Sequence, residues 1–587
     1  MFSATQATGT LFRHITAKPR LVLCIALLAI VICGTGLTRL VKDTSVKAFI
    51  PAGHESLVAD AKAAEIFGLS DTIAVAVVTI DGSSVFTPEI LTLIDELSTE
   101  LAGLPNIRYD RIASLATESS IDGESGSVFI DPYVEPFAMD DEFARDSRAR
   151  WEAMAPHRGT LVSEDGSGAV IMAELIDSDI ADETYLAVLG MVDASTMDGV
   201  ELHVAGPGAV SGFLSRYIDE DARKLQPLVL VLVLGFIYLA FRRAAALPGP
   251  LLVIVGSAAG ALGIMAWSGI PYYAITNALP VIIVAISVAD AIHILSSYYQ
   301  LREQDDDADS RELVIRAMSA MARPITLTTI TTIAGFVGIA VMSIMPPITW
   351  FAIFASLGVL LAWVFSIFVL PSMLILVNPG RSPAFVTWQE GRPSETGRAL
   401  AWLGGFSPLR YRSVLTVFLL VTVAAAYGAL QLRIDRSHVE NFAPDEPFRI
   451  ADELINERFA GTAFLDVIVE TDEPQGLLRV DTMRKIRELQ NFFEALPHVR
   501  KTVSIVDYLS QLHGALDDLP DTDIEARALP GSDDLLAETL FIYEISGDPT
   551  DFEEEIDADY HRALIRGVLD AHYFSQNRIA VESLQRY

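Results

Sequence analysis

The sequence predicts an α-helical polytopic membrane protein with α+β domains outside the membrane, arranged as an internal duplication whose second copy is incomplete. Three observations carry that prediction. Of 587 residues 51% are hydrophobic and mean hydropathy is +0.38, values of a membrane chain. Seven apolar stretches approach or exceed the length that crosses a bilayer. Two long polar segments, each following a span, repeat one strand–helix–strand pattern.

The elements follow in chain order. Residues 1–20 are a basic N-terminus. Residues 21–40 are too long for a signal peptide and lack a clean small-residue cleavage site, so they read as an uncleaved first span. Residues 41–225 form a first extracytoplasmic domain. Residues 226–377 hold five spans, at Gln226–Phe241, Leu247–Trp267, Ala274–Tyr298, Ile325–Met345 and Trp350–Val377. Residues 378–413 are a cytoplasmic linker, 414–431 the seventh span, and 432–587 a second, truncated extracytoplasmic domain.

Single crossings put Lys18, Arg20, Arg242, Arg243, Arg302, Arg311, Arg316, Arg323, Arg381, Arg410 and Arg412 on one side, which is then the cytoplasm. Trp267, Tyr272, Tyr273 and Trp350 gather at the opposite boundary as an aromatic belt. Ser310–Arg323 reads as a separate cytoplasmic helix, and Pro280 and Pro371 as bends in their spans.

The formal net charge of −34 resides mainly in the polar segments. Such a surface lacks the clustered cations that nucleic acid requires, so no nucleic-acid partner is expected. Cys24 and Cys33 both lie in the first span, which leaves the external domains without a disulfide framework. The chain has no phosphate-loop lysine motif, no HExxH and no serine elbow, so neither enzyme activity nor a cofactor is expected.

The duplication is read from short motifs that keep register. Asp43-Thr-Ser45 through Pro51 corresponds to Asp435-Arg-Ser437 through Pro444, and Phe67 and Leu104-Pro105 recur as Phe459 and Leu496-Pro497, both displaced by 392 positions. The first repeat predicts a strand Thr72–Ile80, helix Pro88–Ala102 and strand Ile107–Ser114. The second predicts Phe464–Thr471, Val480–Ala495 and Val499–Val506. A later strand, Ala169–Ile176, has its counterpart in His561–Leu569, and the helix Asp182–Ser195 in Phe574–Tyr587. A stop in mid-domain leads to the expectation that this sequence is a piece of a longer duplicated protein, with a naturally incomplete duplication as the alternative.

Asp290 is the leading functional candidate. It lies about two-thirds along an apolar span, where a carboxylate costs several kcal/mol to insert, and such groups mark ion or proton pathways by default. Helical spacing predicts Ser287, Asp290, His293 and Ser297 along one stripe. His293 is a candidate second member of a proton relay, because imidazole titrates in the useful range, and equally a packing histidine. In the next span Thr328, Thr332 and Gly335 share a face with Thr331 beside them. These threonines either support the Asp290 site or join helices. No second ligand accompanies them at metal spacing, so no metal site is expected.

Val288-Ala-Asp290-Ala-Ile-His293 and the run from Arg323-Pro324 to Gly335-Phe336, within an order of one span, a large external domain and five spans, resemble the resistance-nodulation-division superfamily. The resemblance is to its hydrophobe-exporter branch, with MMPL-like and Patched-like members and a sterol-sensing-domain-like membrane block. It implies ferredoxin-like (βαβ) porter domains outside the cytoplasmic (inner) membrane, and proton-driven export of lipids or other amphiphiles. It also implies Asp290 as proton carrier, a homo-oligomer or a periplasmic accessory protein as partner, and membrane lipids as surroundings. A lipid-sensing or assembly scaffold without transport is the competing function.

Overall fold

The computed structural model describes residues 10–383 except 46, 52, 125–126, 137–138 and 306; residues 401–432 except 403 and 406–409; and 439, 442–516, 529–546 and 552–587 except 571–572. The Asp435 motif and most of the 378–413 linker therefore lie outside the described residues. The chain forms two compact units: residues 1–51 with 215–433, and residues 52–214 with 434–587.

The first unit is a helical bundle. Among the described residues, seven helices are long and apolar enough to cross a membrane: Pro19–Arg39, Pro207–Phe241, Ala244–Trp267, Ala274–Gln304, Ser310–Met342, Pro346–Val377 and Tyr411–Ala429. They are numbered here as the first to seventh spans. Each extends past its sequence-based limits at one end, two of them by more than a dozen residues. The second begins at Pro207 rather than Gln226, and Ser310–Arg323 is not a separate helix but the first half of the fifth span. Pro324 was the expected break, yet one missing N–H leaves a single helical bond unmade, and the apolar residues on either side continue the helix through it. Pro280 does not bend the fourth span. A 3₁₀ turn over Ala274–Ala278 precedes it, so Pro280 falls in the helix's first turn, where no N–H is needed.

Small residues set the helix crossings. The third span packs against the first where Gly263 meets the Cys33 carbonyl, and against the sixth where Gly256 and Gly260 admit Phe365 and Leu361. Gly358 of the sixth span likewise receives Ile283 of the fourth. A methyl at any of these positions would overlap its neighbour and push the helices apart, at the expense of the van der Waals contact that holds them. At the end opposite the basic loops, Lys42–Asp43 pairs in parallel with Tyr272–Tyr273. Both tyrosines are buried by that pairing rather than placed in a lipid-facing belt, whereas Trp267 is exposed beneath Arg39, 4.4 Å from its ring. None of the residues of the seventh span is buried.

Among its described residues the second unit holds two larger sheets and a two-stranded ribbon, Ser119–Glu124 with Ser127–Pro132. In the first, strands Thr72–Thr79, Ile107–Ala113, Gly168–Leu175 and Val200–Ala205 lie in the order second, third, first, fourth, every neighbour antiparallel. In the other, Ala463–Glu470, Val499–Ser504 and Arg562–Leu569 take the same relative order, second, third, first, again antiparallel. Corresponding strands thus occupy corresponding places in the two repeats. Each sheet carries an amphipathic helix between its first two strands. Pro88–Ala102 is capped by Thr87, whose hydroxyl accepts from the Ile90 N–H at 3.3 Å, and it buries Ile90, Ile94, Leu97 and Leu101. Val480–Glu494 buries Val480, Met483, Ile486 and Phe493. One apolar cluster takes in residues from both repeats, among them Val75, Ile94, Ile486 and Ile565. Gly206, at φ 96°, turns the chain from strand Val200–Ala205 into the helix that follows, where a side chain would strike the Thr72 carbonyl.

Candidate functional site

The membrane bundle buries Asp290 at 6% exposure, on the face of the fourth span that also buries Ser287, Ala291, Ile294 and Tyr298. This span packs against the third, fifth and sixth. One turn from Asp290, the Ser287 hydroxyl lies 3.0 Å from that of Ser257 in the third span, and Ser257 also donates to the Val253 carbonyl at 2.7 Å. Asp290 itself has no hydrogen bond or ion pair among the described residues. Among the described residues, then, this buried ionisable group makes no bond that ties helices together.

The predicted stripe divides. Ser287 and Asp290 are buried, Ser297 is half-buried and His293 is exposed. Each step of three residues falls roughly 60° short of a full turn at 3.6 residues per turn, so the third member of the series has left the face that the first occupies. His293 and Asp290 lie on one helix one turn apart, but on different sides of the bundle surface.

The fifth-span threonines likewise point elsewhere. Thr328 and Thr331 are exposed and Thr332 half-buried. Thr328 donates to the Ile325 carbonyl at 2.8 Å, Thr331 to Thr328 at 2.9 Å and Thr332 to Thr328 at 2.8 Å. All three are satisfied by their own helix. The buried hydroxyl is that of Thr329, and the one that reaches another helix is that of Thr326, which accepts from Trp363 Nε1 at 3.0 Å. Gly335 has open space beside it. Ser257 was missed at the sequence level, although a single hydroxyl after Gly256 in a Gly/Ala-rich span was a usable signal.

The basic ends of the fourth and fifth spans are joined by a polar cluster. Buried Arg302 donates to the Ala308 carbonyl at 2.9 Å and to Ser310, whose hydroxyl contacts Asn378 at 2.6 Å, while Arg381 pairs with Glu303 at 2.9 Å. This fixes the end of the fourth span against the fifth and sixth, below the carboxylate.

Residues 237–376 match the family model described as the Patched SSD. That sterol-sensing domain belongs to a family related to the resistance-nodulation-division and MMPL transporters, and the matched stretch runs from the end of the second span through the sixth, with Asp290 inside it. No curated protein matches the chain. With seven candidate membrane helices among the described residues and this block, the chain is a multi-pass membrane protein, and the matched block suggests a lipid- or sterol-related transporter or sensor.

Proposed function

We propose that the chain is a proton-motive-force-driven secondary transporter that exports lipids or other amphiphiles across the inner membrane, of the resistance-nodulation-division superfamily's MMPL-like branch. One observation carries the reading: Asp290 is buried in a membrane helix, beside the Ser257–Ser287 hydroxyl pair, with no partner of its own among the described residues. A helix-joining carboxyl would have a donor, whereas a proton carrier needs a changeable charge in a site that excludes bulk water. The strand orders of the external unit support ferredoxin-like porter domains. Asp290 is the relay group. His293, with Ser287, Ser297, Thr328, Thr331 and Thr332, remains a set of supporting candidates, of which Ser287 stands nearest in chain and face. Membrane lipids and a hydrophobic or amphiphilic substrate are the partners, with a homo-oligomer or a periplasmic accessory protein beyond them.

The test is proton flux through the full chain in proteoliposomes holding an internal pH dye, wild type against Asp290→Asn, with insertion checked by protease protection. Flux that disappears in the variant supports the carrier role, and flux equal in both removes it. The similarity of residues 237–376 to a sterol-sensing block favours a second reading, a lipid-responsive scaffold without transport. It predicts no flux in either protein and a change in protease protection when sterol or lipid is added.

A further inference from the structure

In the external unit a cleft of about 590 Å³ opens between elements of the two repeats, a size within the range of small-molecule sites. Its apolar wall includes Phe67 from the first repeat and Leu540, Phe552 and Ile556 from the second. Arg108 and Arg111, on strand Ile107–Ala113, supply its cations. The Arg111 side chain is 9% exposed and holds two carboxylates, Glu554 at 3.1 Å and Glu553 at 2.9 Å. These two are not equivalent. Glu553 is 56% exposed, and an acid on so wet an arm gains little from its pair, so another anion can replace it.

The surroundings keep the guanidinium groups in place. Arg108 donates to the Gly68 carbonyl at 2.6 Å and pairs with Glu174 at 3.3 Å. Gly68 is left-handed at φ 70°, and a side chain there would press on both arginine ends at 3.4 Å. Burial pushes the Glu174 carboxyl up to about 7, with Glu554 adding to the effect and Arg108, Arg111 and Arg566 opposing it. Near neutral pH, therefore, Glu174 offsets Arg108 only in part. Asp557 on the rim is already engaged, accepting the His561 and Arg562 N–H groups at 2.7 and 2.8 Å.

We propose that this cleft takes the acidic head of an amphiphile, whose carboxylate displaces Glu553 from Arg111 while its first carbons lie against Phe67 and Phe552. The inference deepens the export reading by giving the cargo a charge, and it rests on that reading for its biological sense, though its test does not involve a proton gradient.

The experiment is equilibrium binding to the full chain in amphipol by calorimetry, using dodecanoate, its methyl ester, dodecylamine and acetate. Dodecanoate is expected to bind at least tenfold tighter than the ester, the amine or acetate. Arg111→Gln is expected to weaken dodecanoate at least tenfold. Glu553→Gln, which removes only the competing exposed carboxylate, is expected to tighten it severalfold, an outcome that a folding defect does not produce. Ester or amine binding as well as dodecanoate overturns the acidic head, acetate binding as well overturns the amphiphile, and Glu553→Gln without gain overturns the displacement. Asp290→Asn is expected to leave the affinity unchanged. Lost flux in Asp290→Asn with no dodecanoate binding in wild type refutes this site alone, and binding without Asp290-dependent flux refutes the export mechanism alone.

Discussion

Two buried carboxyl groups, Asp290 in the helical bundle and Glu174 in the sheet-bearing unit, have nearly the same exposure, 6% and 5%, and opposite surroundings. Asp290 has no partner among the described residues, only the Ser257–Ser287 hydroxyls a turn away. Glu174 sits between Arg108 at 3.3 Å and a wider net in which Arg566 holds Asp466 at 3.1 Å and Glu554 at 3.4 Å. The difference shows that depth alone does not make a carboxyl functional. A group ringed by fixed cations changes its charge at the expense of a network, whereas one without such partners changes it locally.

The largest expected effect separates the two directly. Asp290→Asn should remove proton flux, a loss of about a hundredfold or more, because general proton transfer through one group is typically worth roughly 10²–10⁴. Glu174→Gln should leave flux within about twofold. Equal losses in both, read by the same internal pH dye, would erase the comparison.

Stability against pH sharpens it next. The Glu174 carboxyl is raised from 4.5 to about 7 by burial, so the folded chain binds more protons than the unfolded one between those values. Stability is then greatest on the acid side and falls as pH rises through about 7, by on the order of 3 kcal/mol if this group acted alone. Glu174→Gln should flatten that slope. Urea midpoints of the full chain at pH 5 and 8 measure it, and a variant that keeps the wild-type slope would show that Glu174 is not its source.

A smaller effect is expected at Ser287. Ser287→Ala removes the contact to Ser257 while Ser257 keeps the Val253 carbonyl, so flux should fall about fivefold, the equivalent of one hydrogen bond near 1 kcal/mol. The smallest is at Thr328 and Thr331. Valine at either position should change flux by less than about twofold, since both hydroxyls are bonded within the fifth span. A large effect there would mean that the exposed face of that helix acts in the cycle.

Much of this was legible in the chain. The helix Pro88–Ala102 and its counterpart from Val480 follow from apolar residues at three- and four-residue intervals, and the strand starting at Thr72 from an unbroken β-branched run. Asp290 stood out because nothing near it in sequence explains a carboxyl group there. His293 and Thr328 were less legible. Spacing places residues on a helix, but it does not say which sector of the helix meets its neighbours, and a hydroxyl that bonds its own backbone is at home on either side.

By itself the sequence determined the seven apolar stretches, the repeated strand–helix–strand pattern and the acid within the fourth stretch, because these depend on hydropathy, period and composition along the chain. Only the tertiary structure decided that Asp290 shares its buried face with Ser287 rather than His293, that Ser257 of another span contacts Ser287, and that Arg111 pairs with Glu553 and Glu554 from the second repeat. Side-chain partnership across elements is a matter of which faces pack, and packing is settled by shape and steric fit between helices and sheets, as at Gly358 and Ile283.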